Sequence, residues 1–152
     1  MVYDCIPFFN ELDILKLRLH ILDPIVDRFI IEEATVTFSG EKKELCFEKN
    51  KAMFQEFLPK ITYLVVDDSP IQATTHERDK FQKNALIKGL KDATDEDVII
   101  LSDVDEIPNP KVLKKIIAEF NPDKVYHLAQ RMFYCFINME EISGSLLSIT
   151  GE

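Results

Sequence analysis

The chain has 152 residues, the length of one domain with one ordinary core. Its 18 Lys and Arg against 27 Asp and Glu leave a formal net charge of -9, the opposite of the basic footprint that phosphate-backbone binding requires, so no nucleic acid partner is expected. Hydrophobic content of 46%, charged content of 30% and only 4 glycines exclude the disordered and collagen-like classes.

Apolar spacing alternates between strand-like and helix-like along the chain, the pattern of an α/β domain with a mainly parallel central sheet flanked by helices. Tyr3 to Phe9 reads as a first strand. Leu12, Leu15, Leu19 and Leu22 then recur three and four apart and mark one face of a helix that Pro24 ends. Arg28 to Ile31 reads as a second strand with Glu32 and Glu33 at its exit, followed by a loop from Ala34 to Lys43. Lys49 to Leu58 reads as a helix burying Met53, Phe54 and Phe57, limited by Pro59 before the strand Ile61 to Val66. After a polar loop, Thr74 or Thr75 is placed to cap a helix from about Glu77 to Lys91 with Phe81, Ala85 and Leu90 inside. Asp97 to Ser102 is a buried-strand run, and a helix follows with Val112, Leu113, Ile116, Ile117 and Phe120 on its apolar face. Lys124 to Ile137 suggests one or two further strands, while 138–152 has no strong period.

Cys5, Cys46 and Cys135 are odd in number and form no C-x-x-C pair, so neither a disulfide framework nor a zinc site is expected and a reduced, cytoplasmic setting fits. The apolar runs fall well short of the roughly 20 residues that span a bilayer. The first ten residues carry Asp4, Pro7 and Asn10 and no basic stretch, unlike a signal peptide.

Ligands of open parallel sheets bind outside the carboxyl ends of the strands, which makes the polar residues there the candidates for function. Asp103-Val104-Asp105-Glu106 is the strongest cluster. Three carboxylates after a buried strand repel one another unless a cation relieves them, and carboxylate oxygens suit magnesium or manganese. A solvated acidic turn capping the next helix is the alternative use. Asn10 and Glu11 follow the first strand, where Asn10 is placed to cap the helix and the acid favours its positive end. Glu32 and Glu33 are acceptors suited to a ribose or a base, or are exposed loop charge. Arg78 and Gln82, four apart on one helical face, form with Lys83 and Asn84 a donor set suited to phosphate or sugar, or a solvated helix face. No G-x-G-x-x-G, G-x-x-x-x-G-K or G-x-S-x-G is present, so dinucleotide, P-loop and hydrolase-elbow chemistry lack their marks.

Phe9-Asn10-Glu11-Leu12-Asp13-Ile14-Leu15-Lys16-Leu17-Arg18-Leu19, then Asp27-Arg28-Phe29-Ile30-Ile31-Glu32-Glu33-Ala34 and Thr37-Phe38-Ser39-Gly40, resemble blocks of glycosyltransferase family 17. Glu77-Arg78-Asp79-Lys80-Phe81-Gln82-Lys83-Asn84, Leu101-Ser102-Asp103-Val104-Asp105-Glu106-Ile107-Pro108 and Arg131-Met132-Phe133-Tyr134 resemble its next blocks in order. The resemblance implies a single GT-A-like (Rossmann-like) domain over 1–152 that binds a nucleotide sugar with Mn2+ or Mg2+. Its best-known members transfer N-acetylglucosamine from a UDP donor, in β1,4 linkage, to a mannose of N-glycans. Carried onto this chain, Asp103 would contact the donor and, with Asp105 and Glu106, the metal. Asn10, Glu11, Glu33, Arg78, Gln82 and Asn84 would line the nucleotide-sugar pocket.

Domains of this kind continue well past this length, so 138–152 would begin an acceptor part that is missing or degenerate. The base that an inverting transfer needs is expected beyond this chain, and Glu140, Glu141 and Glu152 are not assigned to it. The family's animal members carry an amino-terminal anchor in the Golgi. None is read here, so a cytoplasmic protein is expected unless an anchor precedes the chain. Two alternatives stand beside transfer to a glycan or glycoprotein acceptor: a non-catalytic nucleotide-sugar-binding fragment, and a haloacid-dehalogenase-like phosphatase, whose nucleophile motif is also D-x-D after a strand. That motif normally opens the first strand and carries Thr or Val two places on, where this chain has Glu106 and Ile107.

Overall fold

The computed structural model describes residues 1–70 and 72–131. By its contacts the chain divides into Met1–Pro122 and a second unit, Asp123–Glu152, described only as far as Arg131. Within the first unit the elements are β1 (Val2–Phe8), α1 (Leu12–Leu22), β2 (Arg28–Ala34), a short α2 (Cys46–Lys49), β3 (Ile61–Val66), α3 (Thr75–Ala85), β4 (Val98–Leu101) and α4 (Pro110–Ala118). The four strands pair in the order β3-β2-β1-β4, all parallel, as in a Rossmann-like sheet. The chain starts in the interior of the sheet, builds outward through β2 and β3, then crosses β1 to add β4 on its other side. The strand order therefore reverses between β1 and β4, and the carboxyl ends of those strands form the crevice where such sheets bind ligands.

Strand alternation sends Val2, Asp4, Ile6 and Phe8 to one face of β1 and Tyr3, Cys5 and Pro7 to the other. The first face meets Leu15, Leu19 and Leu22 of α1, with Phe29, Ile31, Phe47, Phe54, Ile100 and Leu113, in the main core. The second face packs Tyr3, Cys5 and Ile30 under Leu86, in a single 3-10 turn (86–89) that continues α3. Gly89 belongs to that turn because a Cβ there would lie 2.5 Å from Ile30 Cγ2. Burial pushes the Cys5 thiol up to about 12, so it packs as a small apolar side chain.

Several expected elements are adjusted. β2 runs three residues beyond Ile31, because Glu32, Glu33 and Ala34 stay paired with Leu64, Val65 and Val66 of β3, and neither acid ends the strand. The helix expected over 49–58 is broken into α2 and two 3-10 turns, 51–54 and 58–60, since the Asn50 amide donates to the Cys46 carbonyl at 2.8 Å and Pro59 enters the last turn. Phe54 and Phe57 are buried there as expected, while Met53 is 38% exposed. Asn10 does not cap α1. The Glu11 carboxylate instead turns back to accept from the amides of Asn10, at 2.9 Å, and Phe9, at 3.3 Å. Thr74 is the cap of α3, in a reciprocal capping box with Glu77, and α3 ends at Ala85 rather than near Lys91. Val112 on α4 is exposed where Leu113 is buried. Lys124 to Arg131 contains no strand, and the remainder of the expected late strands lies outside the described residues.

Glu32 and Glu33 point to opposite faces of β2, and their carboxylates are stabilised in different ways. Glu33 is saturated with donors. Glu32 is 1% exposed with Oε1 lacking a hydrogen-bond partner, and burial, opposed by the charge of Lys43, pushes it up to about 8. A carboxyl raised in the fold stabilises it fully below the unfolded value of 4.5, and that contribution is lost as pH rises through about 8. Chemical denaturation from pH 4.5 to 9 should therefore show stability falling by on the order of a few kcal/mol across that window. Glu32→Gln should flatten this slope and exceed the wild type above pH 8; an unchanged slope would count against a protonated Glu32.

Candidate active site

A cleft of about 410 Å3 opens at the carboxyl ends of β1, β2 and β4. Pro7, Phe8 and Phe9 come from β1 and its exit, Glu11 and Ile14 from the start of α1, and Ala34, Val36, Phe38 and Lys43 from β2 and the loop after it. Asp79 and Gln82 come from α3, and Asp103, Val104 and Asp105 from the turn after β4. One side is thus apolar and aromatic, with Phe9, Ile14 and Phe38 each more than a third exposed. The other side is acidic.

Four carboxylates, Glu11, Asp79, Asp103 and Asp105, line the cleft against one ammonium, Lys43. Even Lys43 is committed: its Nζ donates to Glu33 Oε1 at 2.6 Å and lies 5.2 Å over the Phe9 ring. At the rim, Lys83 Nζ sits 3.2 Å from Asp103 Oδ1 and 3.3 Å from Asp79 Oδ1. Partial burial works to lower that ammonium, yet the two aspartates outweigh it and hold it above the usual lysine range. An anionic ligand entering here meets a field of its own sign unless a cation accompanies it.

The turn after β4 is held from beneath by a buried ion pair. Arg18 and Asp4 are both fully buried, with Arg18 Nε and Nη2 donating to the two Asp4 oxygens at 2.9 and 2.7 Å. The same guanidinium donates through Nη1 to the carbonyls of Asp103, Val104 and Glu106 at 2.7, 3.4 and 3.3 Å, and through Nη2 to Ser102 Oγ at 2.8 Å. Ser102 Oγ passes its own proton to the Glu106 carbonyl at 3.1 Å. Glu106 closes the turn from above, its carboxylate accepting from the Asp103 amide at 3.1 Å. Sequence reasoning missed Asp4 and Arg18, although both stand at core positions, Asp4 between Val2 and Ile6 and Arg18 between Leu15 and Leu22.

The site residues expected from sequence divide into three groups. Glu11, Gln82, Asp103 and Asp105 are brought together in the cleft. Asn10, Asn84 and Glu106 are exposed outside its lining, and among the described residues no three acidic, His or Cys side chains converge into a closed metal cage. Arg78 and Glu33 have structural tasks. Glu33 accepts from Lys43, from the amides of Cys46 and Phe47 at 2.6 and 3.0 Å, and from the Tyr63 hydroxyl at 2.8 Å. Fully buried and so occupied, Glu33 builds the wall behind the cleft. Arg78 donates to the Phe38 carbonyl at 3.1 Å, and Gln82 to that of Val36 at 3.4 Å, so α3 pins the loop that carries the aromatic wall.

A parallel α/β domain with an acidic and aromatic cleft at its strand reversal defines a class of ligand-binding enzyme folds. The chain belongs to glycosyltransferase family 17, whose model matches residues 1–143. It is 29% identical to the beta-1,4-mannosyl-glycoprotein 4-beta-N-acetylglucosaminyltransferase of Rattus norvegicus, over 97% of this chain and 30% of that protein. The Mus musculus protein of the same name is 28% identical over the same shares, and the Homo sapiens protein 29% identical over 70% of this chain and 22% of its own length. The chain thus spans less than a third of the length of these relatives. No solved structure matches it significantly.

The pinned loop offers a direct test. Gly40 has φ 90, and a Cβ there would lie 2.8 Å from Arg78 Nη2. Gly40→Ala should cost about 1–3 kcal/mol in urea unfolding, with faster amide exchange across 37–41. Unchanged stability and exchange would mean the loop does not depend on this contact.

Proposed function

We propose that this chain is the donor-binding part of a metal-dependent, GT-A-like glycosyltransferase that takes N-acetylglucosamine from a UDP donor and passes it with inversion, in β1,4 linkage, to a glycan acceptor. The observation that carries this reading is the charge of the cleft, four lining carboxylates against one already paired lysine. A nucleoside diphosphate is itself strongly anionic and enters such a site only with a cation. The residues present fit a hard divalent ion: Asp103 and Asp105 are exposed oxygen donors at the lip, and a site with few protein ligands leaves coordination positions for water and phosphate. Asp103 and Asp105 would hold Mn2+ or Mg2+, which supplies Lewis-acid neutralisation of the departing diphosphate.

The chain's own residues do the rest of the donor-binding work in this reading. The Phe9 and Phe38 side offers apolar surface to the ligand and limits water on that side. Lys83 holds Asp103 toward the lip, and Gln82, 6% exposed, presents its amide where a sugar or ribose hydroxyl would find a partner. The names of the relatives support the choice of sugar and acceptor. Membership of a glycosyltransferase family also displaces the phosphatase alternative.

Calorimetric titration of UDP, with and without manganese, tests the site. Wild type should bind UDP at least about tenfold more tightly with manganese, and Asp105→Ala should lose that gain while its stability stays within about 0.5 kcal/mol. Equal affinity with and without the ion would sink the metal-dependent reading. Release of N-acetylglucosamine from its UDP donor, or its transfer to a glycan, separates an active enzyme from a binding chain.

A further inference from the structure

We infer that Arg18 is the positioning residue of the carboxylate turn: through its grip on the backbone of Ser102 to Glu106, the buried Asp4–Arg18 pair sets how strongly Asp103 and Asp105 hold a divalent cation. The inference rests on the cation reading of those two aspartates. Its support is geometric. One guanidinium spends two donors on Asp4 and aims the others at three carbonyl acceptors and one hydroxyl of a single turn. Neither charge reaches solvent, and neither residue lines the cleft, so the pair acts on a ligand only through the turn it holds.

Core-filling alone does not account for that arrangement. Apolar residues of similar volume commonly stabilise a core as well as a buried ion pair does or better, so the pair's worth lies in what it orients. Among the described residues no side chain braces the Asp105 carboxylate, and Lys83 Nζ lies 3.2 Å from Asp103 Oδ1. What fixes the directions of both Cα–Cβ bonds is the backbone, and what fixes the backbone is Arg18 from below, with Ser102 relaying the same hold to Glu106. Groups that orient metal-binding carboxylates typically change cation affinity by about 10- to 100-fold when lost.

The test uses the double variant Asp4→Leu/Arg18→Met, which removes both charges together, and Ser102→Ala, which removes only the relay at a half-buried position. Melting curves and near-ultraviolet circular dichroism report folding. Amide exchange at Val104 to Glu106 reports the turn, and electron paramagnetic resonance of free Mn2+, titrated with UDP present, reports the cation. The double variant should fold, exchange faster at those amides and bind Mn2+ at least about tenfold more weakly, with UDP affinity in the absence of metal unchanged. Ser102→Ala should shift exchange and Mn2+ affinity in the same direction by a smaller factor, and it decides the matter if the double variant fails to fold. A folded variant with wild-type exchange and Mn2+ affinity would overturn the inference and leave the pair a packing feature. Should the wild type itself take up no Mn2+, the cation reading fails on its own, and unaltered exchange in the variants would separately remove the role in holding the turn.

Discussion

The Asp4–Arg18 pair is the constraint on which the rest of the site depends. Two opposite charges with no exposure to water are costly to bury, and they persist only where geometry and added hydrogen bonds repay the lost hydration. Here the repayment comes from the turn after β4. The carbonyls of Asp103, Val104 and Glu106 take the remaining guanidinium donors. Strand β1, helix α1 and the exit of edge strand β4 are thereby tied at one point, directly beneath the lip of the cleft. An edge strand of four residues has little pairing of its own, so this tie also defines where β4 stops.

The opposite wall is built by the same device with different atoms. Glu33 and Arg78 are charged groups withdrawn from solvent, each engaged with backbone: Glu33 accepts from the amides at the start of α2, and Arg78 donates to the loop carrying Phe38. Cleft walls made of loops are thus held by side chains reaching from the sheet and helices. The charges left facing the cleft are mostly carboxylates, because the positively charged groups nearby are turned inward to neutralise or brace the scaffold. The acidity of the cleft follows from this division and not from acidic composition alone.

The regular elements were largely legible, because their signals are periodic and local. β1, α1, β3 and β4 appear where alternation or a three-and-four spacing placed them, and their order made a parallel sheet the expectation. Charge is a poor mark of a strand's end in this chain. β2 continues through Glu32 and Glu33, since donors to Glu33, among them Tyr63 from 30 residues away, and proton uptake by Glu32 make their burial tolerable. The place of the carboxylates at the cleft was legible from the apolar run before them, although that run is a four-residue edge strand with Ile100 buried and Ile99 and Leu101 exposed, not the buried strand expected. Arg78 and Glu33 have the chemistry of ligand contacts, and their hydrogen bonds to the walls of the cleft were not legible because the partners lie 10 to 40 residues away. Arg18 was visible in principle, as a cation set among leucines on the buried stripe of α1, but its partners lie 14 and 84 to 88 residues away.

The acidity and openness of the cleft also bear on the order in which ligands arrive. Under the proposed function, two exposed aspartates offer an ion few protein ligands, and Lys83 already shares the charge of one of them. Such a site holds a strongly hydrated divalent ion weakly by itself, and an unaccompanied diphosphate is opposed by the four carboxylates. Each ligand would then remove the other's obstacle, the phosphate by adding oxygen ligands for the ion and the ion by offsetting the repulsion between phosphate and aspartate. By linkage the factor by which the ion tightens nucleotide equals the factor by which nucleotide tightens the ion. A turn held rigidly from below strengthens this coupling, because the carboxylates need not be ordered when the pair arrives. The buried cation of Arg18 acts on the turn through its backbone, and a divalent cation at the lip would act on the same few residues through their side chains.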